Sequence, residues 1–357
     1  DSIEQSKLKN SLTNFLLTIK NKEKTNKWIS PDNLSETQIL LDEIQGFVNN
    51  DTLEFMPHWI NCELLPDKTS YSIQVAYISL SESQPLLRAI FEFIAYKKDD
   101  NFLFASPLKR NTKEWKTKTE GHLIFHYQNN IAENVINQYI KIVNDYDQKL
   151  GINPISEFYF CDNCQDMTSL LRLTGITYNM AYNGFSWNMT DFKIQDRIIA
   201  LYGQNMSRQE IVDPHDVFHG RASIAIPQNL RNHYMVCGCA YVYGGSWGIS
   251  WDNIKKMFKE KMSSDKNADW QKLYFDRFNF GESQEKHLLV TQFINALIIE
   301  KVEKEQGFSA VLKLLSSGNM YKEKDKFFEI LKAVTGIDET NFNSEISQLI
   351  NKSMKGI

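Results

Sequence analysis

The sequence lacks a long apolar run, a strong charge imbalance and a dense set of cysteines. No segment reaches the roughly 18–20 apolar residues that a membrane-spanning helix needs. The net charge of −4, without a basic stripe, argues against nucleic acid or an anionic membrane surface as a partner. The five cysteines are too few and too scattered for a disulfide framework. These absences leave an ordinary globular protein.

The length of the chain and its first residue indicate how many domains to expect and whether a leader has been removed. At 357 residues the chain is long for a single hydrophobic core, so we expect two domains. No signal peptide is visible, and a chain that begins at Asp1 without Met fits a mature protein after leader removal or a chain trimmed for expression. On the first alternative we expect an exported protein that is periplasmic, surface-bound or extracellular.

The N-terminal region has the pattern of two helices followed by an antiparallel sheet. Apolar residues recur at helical spacing over 3–20 and 35–47, and aromatic and β-branched segments broken by turns predict strands at 53–65, 71–78, 87–96 and 102–108. The string LLRAIFEFIAYKKDDNFLFASPLKRNTKEW resembles the last two strands of a nuclear-transport-factor-two-like cone domain. That resemblance implies a concave sheet over residues 1–113 with a structural or docking role.

The next region alternates strands and a long helix. Residues 121–127, 155–160 and 196–202 have strand patterns, and 131–150 is a strongly periodic helix with Gly151 as its stop. Residues 173–190 have no clear period and predict a loop or hairpin. His122 and His126 are four residues apart, but a strand separates them by about 13 Å, so they cannot share a metal ion.

The stretch Asp213-Pro214-His215-Asp216-Val217-Phe218-His219 carries the clearest chemical motif. Asp213 is a natural N-cap, and proline suits the first helical position. A helix that begins there places His215 and His219 one turn apart, where two imidazoles can bind one Zn²⁺. Asp216 would then accept the proton of the attacking water. The alternative is a pair of ordinary surface histidines.

Residues 237–245, with the sequence CGCAYVYGG, extend the motif. Together with His-Asp-x-x-His they resemble gluzincin metallopeptidases, whose next helix supplies the third zinc ligand. The resemblance covers roughly residues 115–350. It implies Cys237 as the third ligand, Asp216 as general base, and Tyr241 or Tyr243 as the group that polarises the carbonyl of a peptide or protein substrate. It also implies an α+β fold with a zincin-like domain at 114–357, comprising a small sheet and a helical C-terminal subdomain.

Departures from the gluzincin pattern keep a second function open. Asp216 is one methylene shorter than the usual Glu, and Cys237 replaces the usual ligand Glu, so the chain is either an active hydrolase or a catalytically inactive scaffold that binds a peptide, glycan or protein. A nucleophilic Cys237 with His215 as its base is a third alternative. Glu300 or Glu303 could also serve as a distant third ligand.

Three further motifs have two interpretations each. Cys161-Asp162-Asn163-Cys164 could join Cys237 and Cys239 in a four-thiolate zinc site, but buried thiols or a local disulfide are favoured. His233 could stabilise an oxyanion, although a surface or capping role is favoured. Trp247 and Trp251 could line a substrate groove, although core packing is the default for tryptophan.

Overall fold

The computed structural model describes residues 2–21, 27–50, 54–81, 84–129, 133–164, 167–179, 191–194, 197–203, 212–262, 268–281 and 287–355. These residues form a mixed α/β fold. The helices are α1 (Ser2–Lys20), α2 (Leu34–Asn50), α3 (Leu108–Asn111), α4 (Glu133–Leu150), α5 (Met167–Thr174), α6 (Pro214–Ala225), α7 (His233–Gly244), α8 (Trp251–Met262), α9 (Trp270–Phe275), α10 (Val290–Gln306), α11 (Phe308–Leu315), α12 (Lys324–Thr335) and α13 (Phe342–Met354). The strands are β1 (Met56–Leu64), β2 (Ser70–Ser81), β3 (Gln84–Lys98), β4 (Asn101–Ala105), β5 (Lys116–Glu120), β6 (Leu123–Tyr127), β7 (Ile155–Cys161), β8 (Ile176–Tyr178), β9 (Asp191–Ile194) and β10 (Arg197–Gly203).

Contacts between residues divide the chain into two compact units. Unit 1 comprises Asp1–Ile131 and Pro154–Met206, and unit 2 comprises Ala132–Asn153 and Ser207–Ile357. The sequence-based boundary between residues 113 and 114 stays a prediction, as does the assignment of 114–357 to a zincin-like domain.

The first sheet of unit 1 confirms the predicted antiparallel strands. Its order is β1-β2-β3-β4, and β8 also pairs with β3. Along β2 the residues Ile73, Val75 and Tyr77 alternate into the core, because successive side chains of a strand point to opposite faces. The apolar stripe of α1 is buried in the same core, where the ring of Phe15 stacks on Phe104 with centroids 4.7 Å apart. Helix and strand periodicities in the sequence therefore converge on one core.

The second sheet of unit 1 has the order β5-β6-β7-β10-β9. Strand β7 pairs in parallel with both β6 and β10, and antiparallel β5 and β9 form the edges. Six of the seven β7 residues are buried, which agrees with the continuous apolar pattern of a central parallel strand. At the end of β7, Cys161 and Cys164 form a disulfide, whereas Cys237 and Cys239 are free. Of the two favoured interpretations of Cys161 and Cys164, buried thiols or a local disulfide, the structure has the disulfide, and the four-thiolate zinc site is excluded in this state.

Strand β8 differs from the predicted loop. Residues 173–190 were expected to form a loop or hairpin, but Ile176–Tyr178 pairs antiparallel with β3. Ile176 and Tyr178 are buried on either side of a half-buried Thr177. A three-residue strand is too short to show a period in the sequence, so the tertiary pairing decides its conformation. Residues 180–190 lie outside the described residues.

Unit 2 is helical in its described residues. Helix α7 is buried from Met235 to Tyr241 and packs against α6 and α10. Helix α4 ends at Gly151 (φ +67°), as predicted, and is tied to α6 by a buried ion pair between Asp147 and Arg221. Among the described residues, no helix combines the length and apolarity required to cross a bilayer. The packing of α4, α6, α7 and α10 fixes the positions of the candidate site residues.

Candidate metal centre

Helix α6 forms as its sequence predicts. Asp213 has extended backbone dihedrals, and its side chain accepts a hydrogen bond from the backbone N–H of His215 at 2.9 Å. Pro214 occupies the first helical position. The rings of His215 and His219 lie on one face of the helix with centroids 4.9 Å apart. The prediction that His215 and His219 lie one turn apart on the same face of a helix is therefore confirmed.

Helix α7 brings a second pair of donors. Its N-cap is Asn232, whose side chain accepts from the backbone N–H of Met235 at 3.1 Å. His233 and Cys237 are also four residues apart, and the Cys237 Sγ lies 3.5 Å from the Nε2 of His233. The close approach of α6 depends on Gly244, since a Cβ there would lie 2.3 Å from the backbone nitrogen of His215. Two helices thus present one His/His and one His/Cys pair.

Three of these four residues form a cluster. One potential ligand atom from each of His219, His233 and Cys237 lies within 4.8 Å of the others, and the cluster could hold a metal ion. The rings of His219 and His233 are 5.6 Å apart between centroids. Cys237 is buried, His219 is half-buried and His233 is exposed. The cluster therefore has a sealed thiol side and a side open to solvent.

The donor set suits zinc. With Zn–N of about 2.05 Å and Zn–S of about 2.3 Å, tetrahedral ligands N and S lie about 3.6 Å apart. The observed 3.5 Å between His233 Nε2 and Cys237 Sγ is close to this value, and it also suits a hydrogen bond between thiol and imidazole. Thiolate and imidazole donors together favour zinc over magnesium or calcium, which prefer oxygen ligands.

Burial determines the protonation of the cluster. It lowers the pKa of His219 well below the ordinary value, with smaller contributions from His215 and His233. The ring of His233 is exposed, but the surrounding protein removes part of its hydration and this lowers its pKa as well. Both imidazoles are thus neutral at pH 7, as metal ligands must be. Burial also raises the pKa of Cys237 to about 12, against a smaller opposing effect from its hydrogen bond with Gln292. The thiol therefore keeps its proton until a metal ion displaces it, which disfavours a nucleophilic Cys237.

His215 lies beside the cluster and has a partner of its own. Its Nδ1 lies 2.6 Å from the carbonyl oxygen of Gly245. Because a carbonyl oxygen only accepts, Nδ1 must carry the proton and Nε2 keeps its lone pair. A backbone carbonyl is a common partner for the outer nitrogen of a metal-binding histidine. The structure thus fixes the tautomer of His215 without bringing this residue into the cluster.

Asp216 lies one turn before His219 on α6. Its side chain is exposed, yet the surrounding protein removes part of its hydration and raises its pKa, with Asp213 adding to the shift and His215 opposing it. Water screening limits this effect at an exposed position. The shift is in the direction that a general base working near neutral pH requires.

The two candidate tyrosines have other partners. The buried Tyr241 donates its hydroxyl to Oε1 of Gln292 at 2.7 Å, and Tyr243 donates to Oε2 of Glu303 at 2.5 Å. Burial raises the pKa of both phenols. Each hydroxyl proton is therefore committed to a side chain of α10, and neither tyrosine is a free donor for a substrate carbonyl in this conformation.

The remaining candidates lie in other environments. Glu303 forms an ion pair with Lys149, and Glu300 accepts from the indole N–H of Trp251 at 2.8 Å. Neither glutamate belongs to the His/Cys cluster. Trp251 is 7% exposed, as core packing predicts, whereas Trp247 is 42% exposed.

The structure places His233 in a cluster that could hold a metal ion, whereas the sequence analysis considered it only as an oxyanion stabiliser or as a surface or capping residue. His233 and Cys237 repeat the i, i+4 spacing of His215 and His219, and this repeat was the signal in the sequence. The resemblance to a family ligand pattern drew attention to His215 instead.

Comparison with known protein families and with curated proteins finds no match for this chain. The functional conclusion therefore depends on the chemistry of the cluster.

Proposed function

We propose that this protein binds one zinc ion through His219, His233 and Cys237 and uses it to hydrolyse peptide bonds. The observation that carries the proposal is the cluster itself, in which three nitrogen and sulfur donors lie within 4.8 Å with one member exposed. Three protein ligands and an open side are typical of catalytic rather than structural zinc sites. The gluzincin resemblance of residues 115–350 supports the same reaction class.

The chain's own residues have separable roles in this proposal. Zinc, when bound, supplies Lewis acidity and lowers the pKa of water to about 7. Asp216 accepts a proton from the attacking water and passes it to the leaving amine. His215, with its proton fixed on Nδ1 by Gly245, keeps Nε2 as a second acceptor beside His219. Gln292 orients the Cys237 sulfur and is itself held by the Tyr241 hydroxyl.

We also propose that the protein is exported from the cytoplasm. The disulfide between Cys161 and Cys164 supports this location, because disulfides persist in oxidising compartments and are rare in the cytosol. An exported peptidase would meet peptide or protein substrates outside the cytoplasm.

A second candidate function is a zinc-holding scaffold without catalysis. The specific observation in its favour is that the hydroxyls of Tyr241 and Tyr243 are committed to Gln292 and Glu303. The short arm of Asp216 favours it as well, since misplacement by about 1 Å can reduce a rate about a hundredfold.

One experiment separates these candidates. Untagged protein is loaded with zinc and tested against a quenched-fluorescence peptide library, beside Asp216→Ala and the control Asp252→Ala. Asp252 is an exposed acid on α8 that pairs with Lys255. For a hydrolase, Asp216→Ala retains zinc but loses at least about a hundredfold in kcat/KM, and the control keeps its activity. Zinc without cleavage would select the scaffold, and absence of zinc would reject both functions.

A further inference from the structure

A line of polar side chains crosses the second sheet of unit 1. Thr117 on the edge strand β5 lies directly opposite His126 on β6. Glu157 lies on the next strand, β7, and Arg197 on β10 pairs with its carboxylate. Thr117 is exposed, whereas the side chain of His126 is 19% exposed and that of Glu157 is 4% exposed. The line therefore runs from solvent at β5 to a buried carboxylate on β7.

The first three of these side chains are in hydrogen-bonding reach of one another. Oγ1 of Thr117 lies 3.2 Å from Nδ1 of His126, and Nε2 of His126 lies 3.3 Å from Oε2 of Glu157. Because a carboxylate only accepts, Nε2 carries the ring proton and Nδ1 keeps its lone pair. The hydroxyl of Thr117 then donates to Nδ1. A hydroxyl, an imidazole and a carboxylate in series are the arrangement that activates an oxygen nucleophile.

The imidazole and the carboxylate are held by contacts that do not involve Thr117. The ring of His126 stacks on Tyr159, with centroids 4.3 Å apart and the planes at 16°. The hydroxyl of Tyr159 donates to the same Oε2 of Glu157 at 3.0 Å, and one oxygen can accept from both donors. Arg197 pairs with the other carboxylate oxygen, Oε1. The orientation of the imidazole is therefore set before any ligand arrives.

The protonation of His126 suits a base. Burial is the largest cause that lowers its pKa to about 4, with Lys109 and Arg197 adding to the shift and Glu36 opposing it. The ring is therefore neutral near pH 7 and can accept the proton of Thr117. A threonine opposite a histidine also stabilises a pair of strands, but that role requires neither an exposed hydroxyl nor a buried acid behind the imidazole.

We propose that Thr117 is the nucleophile of a second catalytic site, an esterase, with His126 as its base and Glu157 as a positioning residue. Oγ1 attacks the carbonyl carbon of a carboxylic ester that reaches the edge strand from solvent, and its proton passes to Nδ1. The acyl–oxygen bond of the ester breaks, and the leaving alcohol takes that proton. Water, deprotonated by His126 in turn, attacks the acyl-threonine, which releases the carboxylic acid and restores the hydroxyl. This site lies wholly within unit 1 and does not depend on zinc.

The test detects the acyl-threonine directly. The full chain is mixed with p-nitrophenyl acetate near neutral pH in the presence of a zinc chelator, so that the proposed metal site contributes nothing. Peptide mass spectrometry then locates the acetyl group. The internal control is Thr119, an exposed threonine of β5 that lies opposite Ile124 rather than a histidine. We expect Thr117 to be acetylated at least about a hundredfold faster than Thr119, with a burst of p-nitrophenolate.

Variants assign the role of each group. Thr117→Val should abolish the burst, whereas Thr117→Ser and the control Thr119→Val should keep it. His126→Gln should reduce the acetylation rate of Thr117 about a hundredfold. Glu157→Gln cannot fix the proton on Nε2, so it should lower this rate at least about tenfold without changing the KM for the ester. The urea midpoint of each variant confirms that it is folded.

Two results would overturn the site. One is equal acetylation of Thr117 and Thr119, which would leave the Thr117–His126 contact as a pairing between strands. The other is a Thr117 rate that His126→Gln does not change. A rate unchanged in Glu157→Gln would overturn the positioning role of this residue. Because the readout is a covalent acyl group formed without zinc, the result is independent of whether the His/Cys cluster hydrolyses peptides.

Discussion

Two histidine pairs with the same four-residue spacing have opposite outcomes in this chain. In unit 1, His122 directly precedes strand β6 and His126 lies on it, where its Nε2 faces Glu157 at 3.3 Å and its Nδ1 faces Thr117 at 3.2 Å. In unit 2, His215 and His219 lie on helix α6 with ring centroids 4.9 Å apart. A strand advances about 13 Å over four residues, whereas a helix returns to the same face. The secondary structure therefore decides whether this spacing can serve a metal ion.

The two cysteine pairs show a similar contrast. Cys161 and Cys164 lie at the end of a strand and are joined as a disulfide, whereas Cys237 and Cys239 lie on a buried helix as free thiols. Residues i and i+2 of a helix point in different directions, so Cys237 and Cys239 cannot both face His219. The secondary structure around each cysteine pair therefore accompanies its chemical state, a disulfide at the strand end and free thiols on the helix.

Among the changes considered, removal of the ion pair that holds helix α6 against α4 should cost the most stability. Arg221 and Asp147 form an ion pair that is almost fully buried and connects α6 to α4. Arg221→Met removes the guanidinium that faces the buried Asp147 carboxylate, so we expect the free energy of unfolding to fall by about 3–5 kcal/mol in urea denaturation. The control Lys332→Met, which removes an exposed partner of Asp338, should change it by less than about 1 kcal/mol. Similar losses in both variants would contradict this account.

The difference between the two cysteine pairs can be tested by removing the Cys161–Cys164 disulfide. Closing a four-residue loop by a disulfide restricts the unfolded chain by about 2 kcal/mol. We therefore expect the double variant Cys161→Ala/Cys164→Ala to lose about that much unfolding free energy. The control Cys62→Ala, at an exposed position of β1, should stay within about 0.5 kcal/mol. Denatured protein should show three thiols before reduction and five after it, and five thiols before reduction would refute the pairing.

The half-buried His126 on strand β6 should make the stability of the protein depend on pH. Burial is the main reason that the pKa of His126 falls to about 4, although Glu36 opposes the shift. Between about pH 6.5 and 4 the unfolded chain then binds more protons than the native one, so stability declines as the pH falls through this range. His126→Gln should reduce the loss between pH 7 and 5 by about 2 kcal/mol. His58→Gln, at an exposed histidine, is the control, and an equal change in both would exclude His126 as the cause.

The smallest effect concerns the packing of α7. A Cβ at Gly238 would lie 2.5 Å from Cβ of Asn295 on α10. Overpacking costs about 1–3 kcal/mol and the better helix propensity of alanine returns up to about 1, so Gly238→Ala should lose about 1 kcal/mol. Gly46→Ala on α2, where a Cβ meets nothing within 4 Å, should gain about 0.5–1 kcal/mol in the same assay. A gain at Gly238 would show that α7 and α10 are not closely packed.

Local signals predicted most elements of the fold. Asp213 and Pro214 specify the start of α6, Gly151 specifies the end of α4, and the alternation over 71–78 specifies β2. These features depend on a few neighbouring residues. Pairing over long sequence distances was not predictable, such as the parallel register between β7 and β10. The polar strand β5 was also missed, because KTKTE shows no apolar alternation.

The candidate site was predicted in part for the same reason. The helix spacing placed His215 and His219 on one face, and the family resemblance nominated Cys237. The sequence could not show that α7 packs beside α6 so that His233 and Cys237 lie near His219. Nor could it show that Gly245 holds Nδ1 of His215, or that Gln292 and Glu303 accept from the two tyrosines. These contacts join residues 30 to 60 positions apart, which no local pattern reports.

The most direct test of the helical metal site is the zinc content of untagged protein, measured by elemental analysis after dialysis against zinc and then buffer. We predict one zinc ion per chain, lost in His219→Ala, His233→Ala and Cys237→Ala, and retained in the unit 1 control His122→Ala/His126→Ala. Loss of zinc in His215→Ala with retention in His233→Ala would assign the ion to the α6 pair instead. A wild-type chain that binds no zinc would contradict the central claim.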